Sequence, residues 1–244
     1  LTTTTPTLAF TATDPEGDDV SYQVQVGNAD FSTLHMDVTT TTYASGTQQT
    51  RVVSPALTQG GIDYYWRVRA KDPSGSDSYG AWATARKMTT EALPPSVTSG
   101  ATTAITTITA TAAGNVTSAN GATITERGIA YHTSTNPTTA NSKQIVSGTT
   151  GSFSGNLTGL TPNTTYYWRA YATNSKGTTY GVNRNFTTEP RPPVVSTGTP
   201  SGTTIDSITV TGSSLTSNPD AQTIDEYGVV YSTSANPTVA NSKQ

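Results

Sequence analysis

Apolar side chains along this chain recur at every second position, the spacing that lines one face of a β-strand. Tyr64, Trp66, Val68 and Ala70 alternate with Tyr65, Arg67 and Arg69, and Tyr166, Trp168, Ala170 and Ala172 alternate with Tyr167, Arg169 and Tyr171. In both strands the first row is predicted to face a core and the second to face outward. Leu8 and Phe10 predict a strand over residues 7–13, and Val20, Tyr22, Val24 and Val26 predict another over 20–26. Phe153, Gly155 and Leu157 continue the same period, and no stripe at helical spacing appears. Turn-forming clusters separate these runs at Asp14-Pro15-Glu16-Gly17-Asp18, Asp72-Pro73-Ser74-Gly75, Asn120-Gly121 and Asn174-Ser175-Lys176-Gly177. Short alternating strands punctuated by such turns predict antiparallel β-sandwiches.

The pattern repeats along the chain. Tyr64-Tyr65-Trp66-Arg67 recurs as Tyr166-Tyr167-Trp168-Arg169, and Thr123 to Gln144 recurs as Thr223 to Gln244, with Ala-Asn-Ser-Lys-Gln closing both copies. Both repeats have a spacing of about 100 residues, the size of a small sandwich domain. Pro94-Pro95 and Pro192-Pro193 close the repeats; proline fixes φ and removes a backbone donor, so these stretches are semi-rigid linkers, not central strands. The expected units are residues 1–91, 94–189 and 192–244, the last stopping near the middle of the repeat.

Leu160-Thr161-Pro162-Asn163-Thr164-Thr165-Tyr166-Tyr167-Trp168-Arg169 resembles the end of strand E and the start of strand F in fibronectin type III domains. Leu57 to Trp66 is the counterpart in the first unit, with Gly60-Gly61 in place of the Pro-Asn turn. The resemblance implies tandem immunoglobulin-like sandwiches. It also implies that Tyr64 and Tyr166 are corner tyrosines, structural residues whose hydroxyls bond nearby backbone. Ile124 to Tyr131, continued through Asn136-Pro137-Thr138, resembles a subtype common in bacterial surface and secreted proteins. Against that family's pattern the first unit opens at strand B, lacking most of strand A, and the third offers only strands A to C. Half a sandwich leaves an apolar face and strand edges open, so the third unit is expected to fray or aggregate alone, or to be completed by other sequence or another chain.

Composition narrows the setting. The chain has no cysteine, which removes disulfides, thiolate metal sites and cysteine nucleophiles together. Thirteen basic against sixteen acidic residues give a net charge of -3, and no dense alternation of basic and aromatic residues points to nucleic acid. No apolar run approaches the length that spans a membrane as a helix. Leu1 to Thr7 lacks the basic and apolar regions of a signal peptide and has no initiating Met. The chain is therefore expected to begin inside a longer protein.

Candidate chemistry is sparse. Glu126 is the one carboxylate of the second unit outside its linkers, so a pair of catalytic carboxylates cannot be assembled there. His35 and His132 lie in different units and outside any metal-ligand spacing. No nucleophile elbow, dinucleotide fingerprint or phosphate loop is present. Asp14, Glu16, Asp18 and Asp19 form an acidic turn that could hold Ca²⁺ weakly, set against a solvated turn whose Asp and Gly serve its geometry. Outward Tyr65, Tyr167 and Tyr171 could stack on sugar rings, or pack on neighbouring strands beside Arg67 and Arg169. Asn115, Asn156, Asn163 and Asn185 satisfy the glycosylation sequon, which a threonine-rich chain produces by chance.

The expectation is a non-enzymatic segment without cofactors, forming a monomeric rod of spacer and interaction modules in a secreted or surface-anchored bacterial protein. Its partner is an unidentified protein or a polysaccharide. The alternative is a glycan-binding accessory region of a secreted carbohydrate-active enzyme or adhesin.

Overall fold

The alternating rows become antiparallel strands. The structure, a computed structural model, describes residues 1–198, 200–201, 209–210, 214–226, 228–233, 235–236, 238, 240 and 242–243, and the described residues contain strands and no helix.

The first sandwich is built from β1 (Thr7–Phe10), β2 (Ser21–Gly27), β3 (Leu34–Thr39), β4 (Gln49–Val52), β5 (Asp63–Lys71) and β6 (Arg86–Thr89). One sheet runs β3-β2-β5-β6 and the other pairs β1 with β4. On the inner face of the larger sheet Val24 stands opposite Val38 and Val68, and Val26 opposite Met36 and Trp66. These residues join Leu8, Phe10, Val20, Tyr22, Val53 and Leu57 in one core, against which Tyr64, Trp66, Val68 and Ala70 pack while only half-buried. Each fully buried aliphatic side chain contributes about 1.5–3 kcal/mol by leaving water.

The second sandwich comprises β7 (Ser96–Thr103), β8 (Ala110–Ser118), β9 (Glu126–His132), β10 (Ser142–Ile145), β11 (Gly151–Leu157), β12 (Thr165–Asn174), β13 (Gly177–Tyr180) and β14 (Arg184–Thr187). Its sheets run β11-β8-β7 and β10-β9-β12-β13, with β14 also pairing β12. The smaller sheet thus has three strands where the first sandwich has two. On β12 the inward residues Trp168, Ala170 and Ala172 are completely buried, unlike their counterparts on β5. Asn120 (φ +51) and Gly121 (φ +83) form the centre of a turn closed by Ala122 N–H on Ala119 O, the pair of positive φ values that Asn-Gly supplies.

Each expected corner tyrosine accepts a backbone hydrogen bond. Thr58 N–H donates to Tyr64 Oη at 3.2 Å, and Thr161 N–H to Tyr166 Oη at 3.1 Å. Arg127, buried on β9, sends its guanidinium into the loop before β11 and donates to the carbonyls of Ser147, Thr149, Thr150 and Gly151.

Beyond Pro193 the described strands are β15 (Val194–Ser196), β16 (Pro200–Ser201), β17 (Thr209–Val210), β18 (Ser214–Ser217), β19 (Val230–Tyr231) and β20 (Ser242–Lys243). They pair as β15 with β18, β16 with β17 and β19 with β20. The half-sandwich expected over 192–244 falls partly outside the described residues. By compactness the chain divides into two units, residues 1–101, 112–155 and 167–184 in one and 102–111, 156–166 and 185–244 in the other, a division that cuts through the second repeat.

Candidate functional site: the outer face of the first sandwich

Strand period puts Tyr65, Arg67, Arg69 and Lys71 on the side of β5 that faces away from the core. Directly across on β2, Gln25 stands opposite Arg67 and Gln23 opposite Arg69. Gln25 Oε1 accepts from Arg67 Nε (3.0 Å) and Nη2 (2.8 Å), and Gln23 Oε1 accepts from Arg69 Nε (2.8 Å). The two amide nitrogens then donate to the two oxygens of Asp37 on β3, at 2.8 and 3.0 Å. One carboxylate thus orients both amides, and the amides orient both guanidiniums.

Aromatic rings from two loops fold over the same face. Arg67 Cζ lies 4.0 Å from the Phe31 ring centroid and 4.2 Å from that of Trp82. Arg69 Cζ lies 4.4 Å from Trp82 and 4.3 Å from Tyr79, and Lys71 Nζ stands 5.8 Å from Tyr79. Residues two apart on a strand are about 7 Å apart, room for one ring between them. Phe31, Arg67, Trp82, Arg69 and Tyr79 therefore form a ladder of alternating rings and cations, each contact within cation–π range. Phe31 holds its place with φ +56, a left-handed backbone that bulky residues rarely adopt. Tyr79 Oη lies 3.4 Å from Thr39 Oγ1, which ties the loop to the sheet.

Neighbouring charges are paired. Lys71 meets Asp77 at 2.6 Å and Lys87 meets Asp63 at 2.7 Å. Hydrogen bonds from Lys87 and Thr89 hold the Asp63 carboxyl below its ordinary range, and Asp77 raises Lys71. Arg67 and Arg69 have no carboxylate in ion-pair range among the described residues.

Of the tyrosines expected to stack on sugars, Tyr65 is half-buried on this face, and Tyr167 is half-buried opposite His132 on the second sandwich. Tyr171 corrects the sequence reading: it lies on the outward row yet is completely buried. Its cross-strand neighbours explain this. Gly128 opposite leaves space, Tyr180 on β13 covers it at 6.3 Å, and its hydroxyl donates to Glu126 Oε1 at 2.6 Å. Burial, and then Glu126, pushes the phenol far above its ordinary range, while Lys143 and then Tyr171 lower Glu126. The three tyrosines do not share one sheet.

In the acidic turn, Asp14 Oδ1 accepts from the backbone N–H groups of Glu16 and Asp18, while Glu16, Asp18 and Asp19 are exposed. Among the described residues no three His, Cys, Asp or Glu side chains gather as a metal site. An open depression of about 270 Å³ beside this turn is lined by Thr13, Asp14, Asp72, Ser76, Ser78 and Tyr79. His35 Nε2 donates to Pro55 O, and His132 Nδ1 accepts from Ser134 N–H.

The ladder is the feature that sequence reasoning missed. Arg67 and Arg69 are readable as an outward pair, but Phe31, Tyr79 and Trp82 sit in stretches without periodicity. The one signal was a tryptophan in a polar loop.

No family model matches the chain, and no curated protein does. Among solved structures, the chain is similar to the FN1–FN3 domains of chicken CNTN1, with 18% identity over 77% of this chain and 61% of that one, and a TM-score of 0.32.

Proposed function

We propose that the chain supplies non-catalytic spacer and interaction modules, acting as a monomer within a longer extracellular or cell-surface protein of bacterial origin. The observation that supports this reading is the joint between the first two sandwiches. Glu91 O accepts from Gly60 N–H and Gly61 N–H at 2.9 and 3.1 Å, and Leu93 N–H donates to Asn120 O at 2.9 Å. Asn174 Nδ2 donates to Leu93 O, Asn120 Nδ2 to Pro94 O, and Lys176 pairs with Glu91 at 2.9 Å. Gly61 and Gly121 approach so closely that a Cβ on either would stand 2.5 Å from the other's Cα. A linker bonded on both sides and followed by two prolines sets a distance and an angle, which a spacer needs and a tether lacks.

Residual dipolar couplings on the full chain test this. One alignment tensor fitting the amides of β2, β5, β8 and β9 together supports a fixed joint. Two independent tensors refute it.

A further inference from the structure

We propose that the outer face of β5, centred on Arg69 with Arg67 beside it, binds the carboxylate groups of an acidic polysaccharide. The inference rests on the interaction-module reading and names the partner of one of its surfaces.

The donors come first. Arg69 spends only Nε, on Gln23, so Nη1 and Nη2 have no acceptor among the described residues. That leaves a two-pronged fork at the end of the side chain, the arrangement that matches the two oxygens of a carboxylate. Arg67 spends Nε and Nη2 on Gln25 and keeps Nη1. Trp82 with Tyr79, and Phe31 with Trp82, fix the planes of the two guanidiniums, so little rotamer freedom is left to lose on binding. Asp37 is the carboxylate that faces them, and the two glutamine amides lie between.

The same geometry selects the partner. Trp82 is flanked by Arg67 and Arg69, so its ring is not open for a base to stack upon, and stacking is what holds single-stranded nucleic acid. An acidic peptide finds its backbone partners along a sheet edge, whereas this face offers side chains alone. Beside the unspent prongs stand the hydroxyls of Tyr65, Tyr79 and Thr39, groups suited to sugar hydroxyls, while the two glutamine amides are held between Asp37 and the arginines. Carboxylates that recur along a stiff sugar chain can meet two fixed guanidiniums in a row.

The test is affinity electrophoresis of the full chain through gels containing polygalacturonate, with neutral dextran, dextran sulfate and poly-L-glutamate as comparisons. Polygalacturonate is expected to retard the protein most. Arg69→Lys, which keeps the charge and loses the fork, is expected to weaken that retardation about tenfold. Lys87→Gln, which removes an ion-paired cation of the same sheet, is expected to leave it unchanged. Asp37→Asn sets an amide donor against one of the glutamine amides, loosens the frame that orients both guanidiniums, and is expected to weaken retardation with Arg69 itself intact, so the proposal does not depend on Arg69→Lys folding well. The assignment is overturned by migration like that in neutral dextran, by equal retardation in dextran sulfate or poly-L-glutamate, or by wild-type retardation of Arg69→Lys. It is equally overturned if Asp37→Asn keeps or exceeds wild-type retardation. None of these outcomes touches the joint, which the dipolar couplings test separately.

Discussion

Replacing Arg127 with Met should destabilise the second sandwich by about 2–4 kcal/mol. The residue is 8% exposed, and its Nε and Nη2 share the Ser147 carbonyl while Nη1 is divided among those of Thr149, Thr150 and Gly151. Counted by acceptor group, that is about two independent anchors, each worth roughly 1.5–3 kcal/mol for a charged donor. The guanidinium also lies 4.9 Å from the Phe153 ring centroid. Against this, methionine needs no desolvation of a charge, and the loop over residues 147–150 is exposed enough for its carbonyls to take water. The difference leaves about 2–4 kcal/mol. Hydrogen exchange in the full chain reads it locally: amides of Trp168 and Ala170 should exchange about 30-fold faster or more, since each 1.4 kcal/mol is tenfold. Arg127→Lys should fall between, because an ammonium cannot reach both anchors. No carboxylate pairs with Arg127 among the described residues, so the loss should be undiminished at pH 3, where ion pairs weaken. A change under about 0.5 kcal/mol, the scale of a surface substitution, or a gain in stability, would refute the reasoning.

Four other outcomes follow from the geometry. Tyr171 has a folded pKa raised by burial and by Glu126, so its contribution is present below the ordinary phenol range and is lost as pH rises through the folded value. Ultraviolet titration should show that Tyr171→Phe removes a tyrosine that ionises only with alkaline unfolding. The Glu126 carboxyl is lowered by Lys143 and then by Tyr171, so its contribution is present above the ordinary carboxylate range and fades as pH falls through the folded value; Tyr171→Phe should make that acid limb shallower in part, the share of Lys143 remaining. In Gly114→Ala the new Cβ would stand 2.5 Å from Phe153 Cζ and 2.7 Å from Ala170 Cβ, and overpacking of that kind costs about 1–3 kcal/mol in urea unfolding. Millimolar Ca²⁺ should leave the melting temperature unchanged, because Asp14 Oδ1 already serves the turn and its three acidic neighbours are exposed; a rise of several degrees would show a bound ion.

Strand identity was legible because alternation is a local property. The rows on β2, β5 and β12 face the way the sequence says, and Asn120-Gly121 turns where its dihedral preferences say. Period two assigns a side chain to a face, however, and says nothing about what covers that face. Tyr171 is buried because Tyr180, nine residues later, pairs across the hairpin and Gly128 yields the space. The ladder was illegible for a related reason: Phe31 and Trp82 reach Arg67 only through folding, from segments with no period to read.

The two copies of the Tyr-Tyr-Trp-Arg motif also diverge on the outside. On β12 the outward arginine, Arg169, turns its Nε to Gly181 O at 2.9 Å and lies 4.7 Å from the Tyr180 centroid, and the next outward residue, Tyr171, is sealed by Glu126. On β5 the equivalent pair is Arg67 and Arg69, and their amide partners leave guanidinium prongs unspent. Exchanging Tyr171 for Arg would not copy the open face, because Glu126 and Tyr180 already occupy the place where a second rung would need its rings, and Gly128 opposite has no side chain to hold a guanidinium as Gln23 does. The inward rows, which differ only at Val68 against Ala170, serve two cores, and the difference between a closed outer face and one with unspent donors lies in a single outward position of the strand together with the loops that cover it.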